Sequence, residues 1–136
     1  MENNSKEFVA LIVDEDYYGR KDITVYGIYE SEETALQALI KVIFTERITF
    51  KDFCRVKKDA AENIAYAIAE NTVVEIRNYD LIFNEKIESE KDFIDIMLSK
   101  IDSEKSLEKY CDVLYSRYGR DWYIKIEETK QKIYNL

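Results

Sequence analysis

Phe8-Val9-Ala10-Leu11-Ile12-Val13 is an unbroken apolar run of six residues. A run this short and this rich in β-branched side chains predicts a strand covered on both faces, because a half-wet strand would alternate. Ile23-Thr24-Val25-Tyr26-Gly27-Ile28-Tyr29 predicts a second strand. Asp14 to Asp22, between them, holds four acids in nine residues, with Gly19 to turn the chain. That connection suits a long hairpin, so the two strands should pair antiparallel.

The pattern then changes period. Ser31 can cap a helix, Glu32 and Glu33 favour its positive end, and Ala35, Leu36, Leu39, Ile40, Ile43 and Phe44 recur at helical spacing. Thr49 can cap a short helix carrying Phe50, Phe53, Cys54 and Val56. Ala61, Ile64, Ala65 and Ile68 mark a second stripe, read as a separate helix from Asp59 to Glu70 and ended by Asn71. Thr72 to Arg77 and Tyr79 to Phe83 have strand composition and suggest another hairpin around Asn78. Ser89 opens a helix with Phe93, Ile94, Met97, Leu98 and Ile101 on one side. Ser103 opens the next, with Leu107, Tyr110, Cys111, Leu114 and Tyr118, and Gly119 is a natural stop. Trp122 to Glu127 alternates, placing Trp122, Ile124 and Ile126 opposite Tyr123, Lys125 and Glu127, as in a strand with one wetter face. It should return to pair with the N-terminal hairpin. The expected fold is α+β over residues 1–136: one domain, a small, mostly antiparallel sheet, and about four helices packed against it.

Composition supports a packed core. The 136 residues are 46% apolar and 13% aromatic, with no Pro and three Gly, so linkers and disordered stretches are not expected. The net charge is -8, which repels phosphate backbones and argues against direct nucleic-acid binding. The acidity is concentrated at the front: residues 1–50 carry net -5, residues 51–100 net -3, and the rest net 0. The polar start and the lack of a long apolar run predict neither a signal peptide nor a membrane span, and hence a cytoplasmic protein. Cys54 and Cys111 both read as buried thiols on helical stripes.

The chemistry available is narrow. Histidine is absent, which removes the commonest acid–base group and the usual activation of serine or cysteine nucleophiles. Two cysteines without histidine cannot build an ordinary zinc site, and three isolated glycines cannot make a phosphate loop. No cofactor is expected. Asp14-Glu15-Asp16 could hold a divalent cation, but an acidic solvated loop is the simpler reading, so no metal site and no catalytic residue is assigned. Val74-Glu75-Ile76-Arg77 resembles the acid-x-base element of metal-dependent nucleases, with Arg where Lys is usual. The chain reads as a non-enzyme.

Tyrosine is the excess, with 11 copies. Tyr17, Tyr18, Tyr26, Tyr29, Tyr115, Tyr118 and Tyr123 fall in or beside the hairpin, the last helix end and the last strand. Tyr18-Gly19-Arg20 and Tyr118-Gly119-Arg120 also precede strands in the same way, which fits shared turn chemistry. Aromatics with a polar tip suit protein interfaces, so Asp14, Glu15, Asp16, Tyr17, Tyr18, Arg20, Tyr26, Tyr29 and Tyr123 are the candidate interaction residues. The expected function is non-catalytic binding of a protein partner. The alternative is an acidic mimic that fills a nucleic-acid groove, with Asp14, Glu15, Asp16, Glu30, Glu32 and Glu33 on one face. A homodimer is expected too, through the aromatic sheet face or through Ile133, Tyr134 and Leu136.

Val25-Tyr26-Gly27-Ile28-Tyr29 followed by Ser31-Glu32-Glu33-Thr34-Ala35, and Leu107-Glu108-Lys109-Tyr110-Cys111 followed by Tyr118-Gly119 and Trp122-Tyr123-Ile124-Lys125-Ile126, carry a resemblance. The pattern resembles a loose group of small proteins of large DNA viruses and phages. The resemblance implies a viral setting, in host cytoplasm or virion, and brings no activity and no site residues with it.

Overall fold

The computed structural model describes residues 6–69, 86–115 and 120–130. The proposed hairpin around Asn78, the nuclease-like Glu75 and Arg77, Tyr118 with its Gly119 stop, and the C-terminal Ile133, Tyr134 and Leu136 lie outside them.

Two strands, β1 (Lys6–Glu15) and β2 (Lys21–Tyr29), form the expected antiparallel hairpin. Gly19 turns it with φ of 79°, a left-handed conformation that glycine adopts without steric cost. The last strand, β3 (Trp122–Lys130), returns antiparallel to the other side of β1. The described sheet is therefore three-stranded in the order β2-β1-β3, with the apolar run at its centre.

Helix α1 (Glu32–Val42) begins as expected: the Ser31 hydroxyl accepts from the Thr34 amide at 3.1 Å. The chain then widens into a π-helical turn (Ile43–Arg47), closed by the Ile48 amide on the Ile43 carbonyl at 2.8 Å. All six stripe residues from Ala35 to Phe44 are buried. Thr49 and Asp52 then cap α2 (Phe50–Ala69) reciprocally, the Asp52 amide donating to Thr49 Oγ1 at 3.3 Å and the Thr49 amide to Asp52 Oδ2 at 2.9 Å.

The two short helices expected over residues 50–70 are one continuous α2. No Pro or Gly interrupts that stretch, so nothing stops propagation at Asp59. The unbroken helix sets the phase of its buried side, which runs through Phe53, Val56 and Ala60. Cys54 and Ala61 each sit one residue past that line, a rotation of roughly 100° per residue, and both are exposed. The expectation that both cysteines are buried holds for Cys111 and fails for Cys54.

Helices α3 (Glu90–Lys100) and α4 (Glu104–Leu114) start at Ser89 and Ser103, whose hydroxyls accept from the Asp92 and Ser106 amides. The core lies between helices and sheet, and includes Ala10, Ile12, Leu39, Ile43, Phe44, Phe53, Phe93, Leu107, Trp122 and Ile124. Phe93 is its aromatic hub, edge-on to Phe44 at 5.4 Å and stacked on Phe53 at 5.2 Å. Among the described residues no helix is long and apolar enough to cross a membrane.

Candidate functional site

Side chains alternate across a strand, so residues paired across the sheet share a face. Ala10, Ile12, Trp122 and Ile124 point into the core. Val9, Leu11 and Val13 therefore point the other way. On that outer face Val13 stands between Ile23 and Tyr123, Leu11 between Val25 and Lys125, and Val9 between Ile28 and Glu127. The result is a block of six aliphatic side chains on β1 and β2, bordered by a polar row on β3. Ile23, Val25 and Ile28 are 62%, 55% and 61% exposed. Val13 is buried, and Val9 and Leu11 are half-buried. The strand expected to be covered on both faces is thus covered by helices on one face only, among the described residues.

A bulge in β2 creates this arrangement. Ala10 pairs with Gly27 and Leu11 with Val25, leaving Tyr26 as the extra residue. Gly27 has φ of 136°, and a Cβ there would lie 2.6 Å from the Tyr29 hydroxyl. That hydroxyl donates to the Tyr26 carbonyl at 2.9 Å. The bulge puts Tyr26 and Tyr29 on the core side, packed against α1 and its neighbours, and returns Ile28 to the outer face.

The candidate interaction residues accordingly separate. Tyr17 and Tyr18 are the exposed tip, 96% and 83% accessible, with rings in edge contact at 5.5 Å. Tyr123 is on the outer face and half-buried. Tyr26 and Tyr29 are on the other face, so the sheet tyrosines do not form one aromatic patch. The exposed patch is aliphatic instead.

Two acidic residues of the hairpin, Asp14 and Asp16, are engaged within the fold. Asp16 Oδ1 accepts from the Tyr18 and Arg20 amides at 2.9 and 2.8 Å, which shapes the tip. Asp14 turns inward and is held by both ends of the Arg47 guanidinium, at 2.6 and 2.9 Å. The Arg47 hydrogen bond holds the Asp14 carboxyl below its usual range, and Asp14 in turn raises Arg47. Glu15, Arg20, Asp22 and Asp121 complete a shallow depression beside them. Among the described residues no cluster of Asp, Glu or Cys has the geometry to hold a metal ion. Glu30, Glu32 and Glu33 sit at the far end of β2, roughly 25 Å away at 3.3 Å per residue. The six carboxylates proposed for an acidic mimic are therefore split between the two ends of β2.

The outer edge of β3 is treated very differently from the outer face. Glu104 Oε1 accepts from the Ile126 amide at 2.7 Å, and Glu108 Oε1 from the Ile124 amide at 3.2 Å. Two glutamates one helical turn apart thus occupy two of the strand's outward donors. Arg120 holds Glu108 in place by pairing with it, and pairs with Asp112 as well, at 2.9 Å. Burial opposes charge on Arg120, but these two partners outweigh it and raise its pKa. Burial likewise raises Glu104, helped by Glu32, Glu108 and Glu127 and opposed by the Ile126 amide.

The fold is a two-layer α+β sandwich, a three-stranded antiparallel sheet backed by helices on one side and open on the other among the described residues. No protein-family model matches the chain, and no curated protein or solved structure matches it.

Proposed function

We propose that this chain is a non-catalytic protein-interaction module that binds its partner through the outer face of the sheet. The observation that carries the reading is the exposure of Ile23, Val25 and Ile28 on a single face. A sheet stabilises itself by burying its apolar faces against another layer, and contiguous exposed aliphatics on an otherwise well-satisfied fold mark a binding surface. Tyr17, Tyr18 and Tyr123 extend the surface at its hairpin end. In the viral setting that the resemblance implies, the partner is a capsid component or a host defence protein.

A photoreactive residue at Val25, with a second at exposed Gln37 on the helical side as control, tests this in the native source. A stoichiometric adduct of one defined mass from position 25, absent from position 37 and lost on adding Ile23→Asp, is the expected result. Equal adducts from both positions, or none at physiological salt, defeats the reading.

A further inference from the structure

We infer that the occupant of the outer face is an amphipathic helix of a different protein, aliphatic on one side and bordered by lysine or arginine. The inference rests on the interaction reading above and adds the chemistry of the partner. The width of the patch selects the shape of the occupant. The apolar block spans two strands, roughly 10 Å, bounded by the Tyr123-Lys125-Glu127 row. A single helix is about 10 Å across, so one helix fills the block. An added strand fits less well. The bulge at Tyr26 and Gly27 splits the β2 ladder into two short stretches, Lys21 to Val25 and Gly27 to Tyr29, with no long regular edge for a strand to follow.

Charge selects the partner. Glu7 and Glu15 close the two ends of the β1 row, and Glu30 stands just past the end of β2. None of the three makes an ion pair among the described residues, although Lys21 stands opposite Glu15. Lys125, the cation on the polar border, is already paired with Glu127 at 2.5 Å. The rim is therefore net acidic and accepts cations. A second copy of the chain would bring the same carboxylates against themselves, since a two-fold contact uses one patch twice, and each copy carries net -8. A helix with basic borders meets neither obstacle.

The test uses the full chain with labelled methyl groups and two synthetic helical peptides about four turns long. Both carry leucine along one side; one has lysine borders, the other glutamate borders. The lysine peptide is expected to bind at least roughly tenfold tighter at low salt, and to shift the methyls of Val9, Leu11, Ile23, Val25 and Ile28. Combined Glu7→Gln, Glu15→Gln and Glu30→Gln substitution should remove most of that preference and most of the salt dependence while leaving the fold intact. Equal binding of both peptides at these methyls overturns the basic partner and leaves the interaction face standing. Sedimentation of the chain alone as a dimer, with the same methyls protected, assigns the face to a second copy and overturns the inference. Binding of neither peptide, or shifts confined to other residues, overturns the inference and the interaction reading together.

Discussion

Glu104 on α4 accepts a hydrogen bond from the backbone N–H of Ile126 on β3 at 2.7 Å. With Glu108 on Ile124, it gives the edge strand side-chain acceptors where a neighbouring strand would otherwise dock, a way of blocking edge-to-edge aggregation. Glu104→Ala should cost about 1 kcal/mol in chemical denaturation, the usual net value of one such bond. The Glu104→Ala/Glu108→Ala pair should also make the protein associate with rising concentration, read by light scattering. Glu104→Gln keeps an oxygen for the Ile126 amide and removes the charge. Burial raises the folded-state pKa of Glu104, so the ionised form opposes folding at neutral pH, and that penalty is relieved as pH falls through the raised value. Glu104→Gln should therefore match or exceed the wild-type melting temperature at pH 7, and the difference should shrink on acidification.

Asp14 titrates with the opposite sign. Its folded pKa lies below the ordinary value because Arg47 grips the charged form. The stabilisation is fully present above the ordinary carboxylate pKa and is lost as pH falls through the depressed one. Asp14 is 40% exposed, so solvent screening limits the pair to about 1 kcal/mol despite its two-pronged geometry. Asp14→Asn is expected to be destabilised by that amount at pH 7 and to converge with wild type at a pH below the ordinary carboxylate range, once the depressed pKa has been passed. A stability gap that stays constant down to that pH would show that the substitution acts through packing.

Most of the fold was legible because its signals are local. Ser31, Ser89 and Ser103 each cap a helix, and the α1 stripe and the alternation from Trp122 need only the period of the sequence to be read. The joining of two stripes into α2 was less visible, since polar Lys57 to Asp59 looks like a gap until the missing helix breaker is weighed against it. The candidate surface was read only in part. Tyrosine count pointed to the hairpin, yet Tyr26 and Tyr29 face the core because one extra residue at the bulge shifts the alternation. Gly27 inside a strand was the available sign of that bulge. Arg47, Glu104 and Glu108 carried no sequence signal, because their partners lie 33, 22 and 16 residues away and depend on how helix and sheet come together.

Gly27→Ala tests the bulge directly. At φ of 136° a side chain is strained, and its Cβ would meet the Tyr29 hydroxyl and ring. The substitution should cost about 2–3 kcal/mol, more than a glycine replacement at a compatible site could gain. Adding Tyr29→Ala removes the clash and not the backbone strain, so the double variant should be destabilised by less than the sum of the singles. Strict additivity in thermal melts would show that the ring and the glycine do not constrain each other.

The two thiols should react on different clocks. Cys54 is exposed, whereas Cys111 is fully buried and its pKa is pushed up to about 12 by desolvation. The thiolate is the reactive form, so Cys54 should be modified by a water-soluble disulfide reagent at once and Cys111 only as the protein opens. Mass spectrometry of the quenched reaction should show a single adduct at Cys54 first. Early labelling of Cys111 would contradict its placement in the core.

Trp122 lies between two guanidinium groups, Arg47 at 5.0 Å and Arg120 at 4.9 Å from its ring centre, with Tyr115 edge-on at 5.6 Å. It is buried in the same core cluster as Leu36, Leu39, Ile40 and Ile43 of the α1 stripe. Its emission maximum should therefore be blue-shifted, with little quenching by acrylamide. Trp122→Ala should cost about 3–5 kcal/mol, the range for a buried large aromatic. The arginines add a more specific expectation. Arg47 grips Asp14 while lying over the indole, so the ring and the carboxylate hold one guanidinium from two sides. Trp122→Leu keeps an apolar side chain and removes the ring face that attracts the cation. Combining it with Asp14→Asn should give a coupling energy of about 0.5–1 kcal/mol, the scale for residues sharing a partner. The same cycle on an Arg47→Met background should fall to zero, because the shared group is gone. A coupling that survives the loss of Arg47 would place the link in the β1–β3 pairing of Asp14 with Trp122 rather than in the guanidinium.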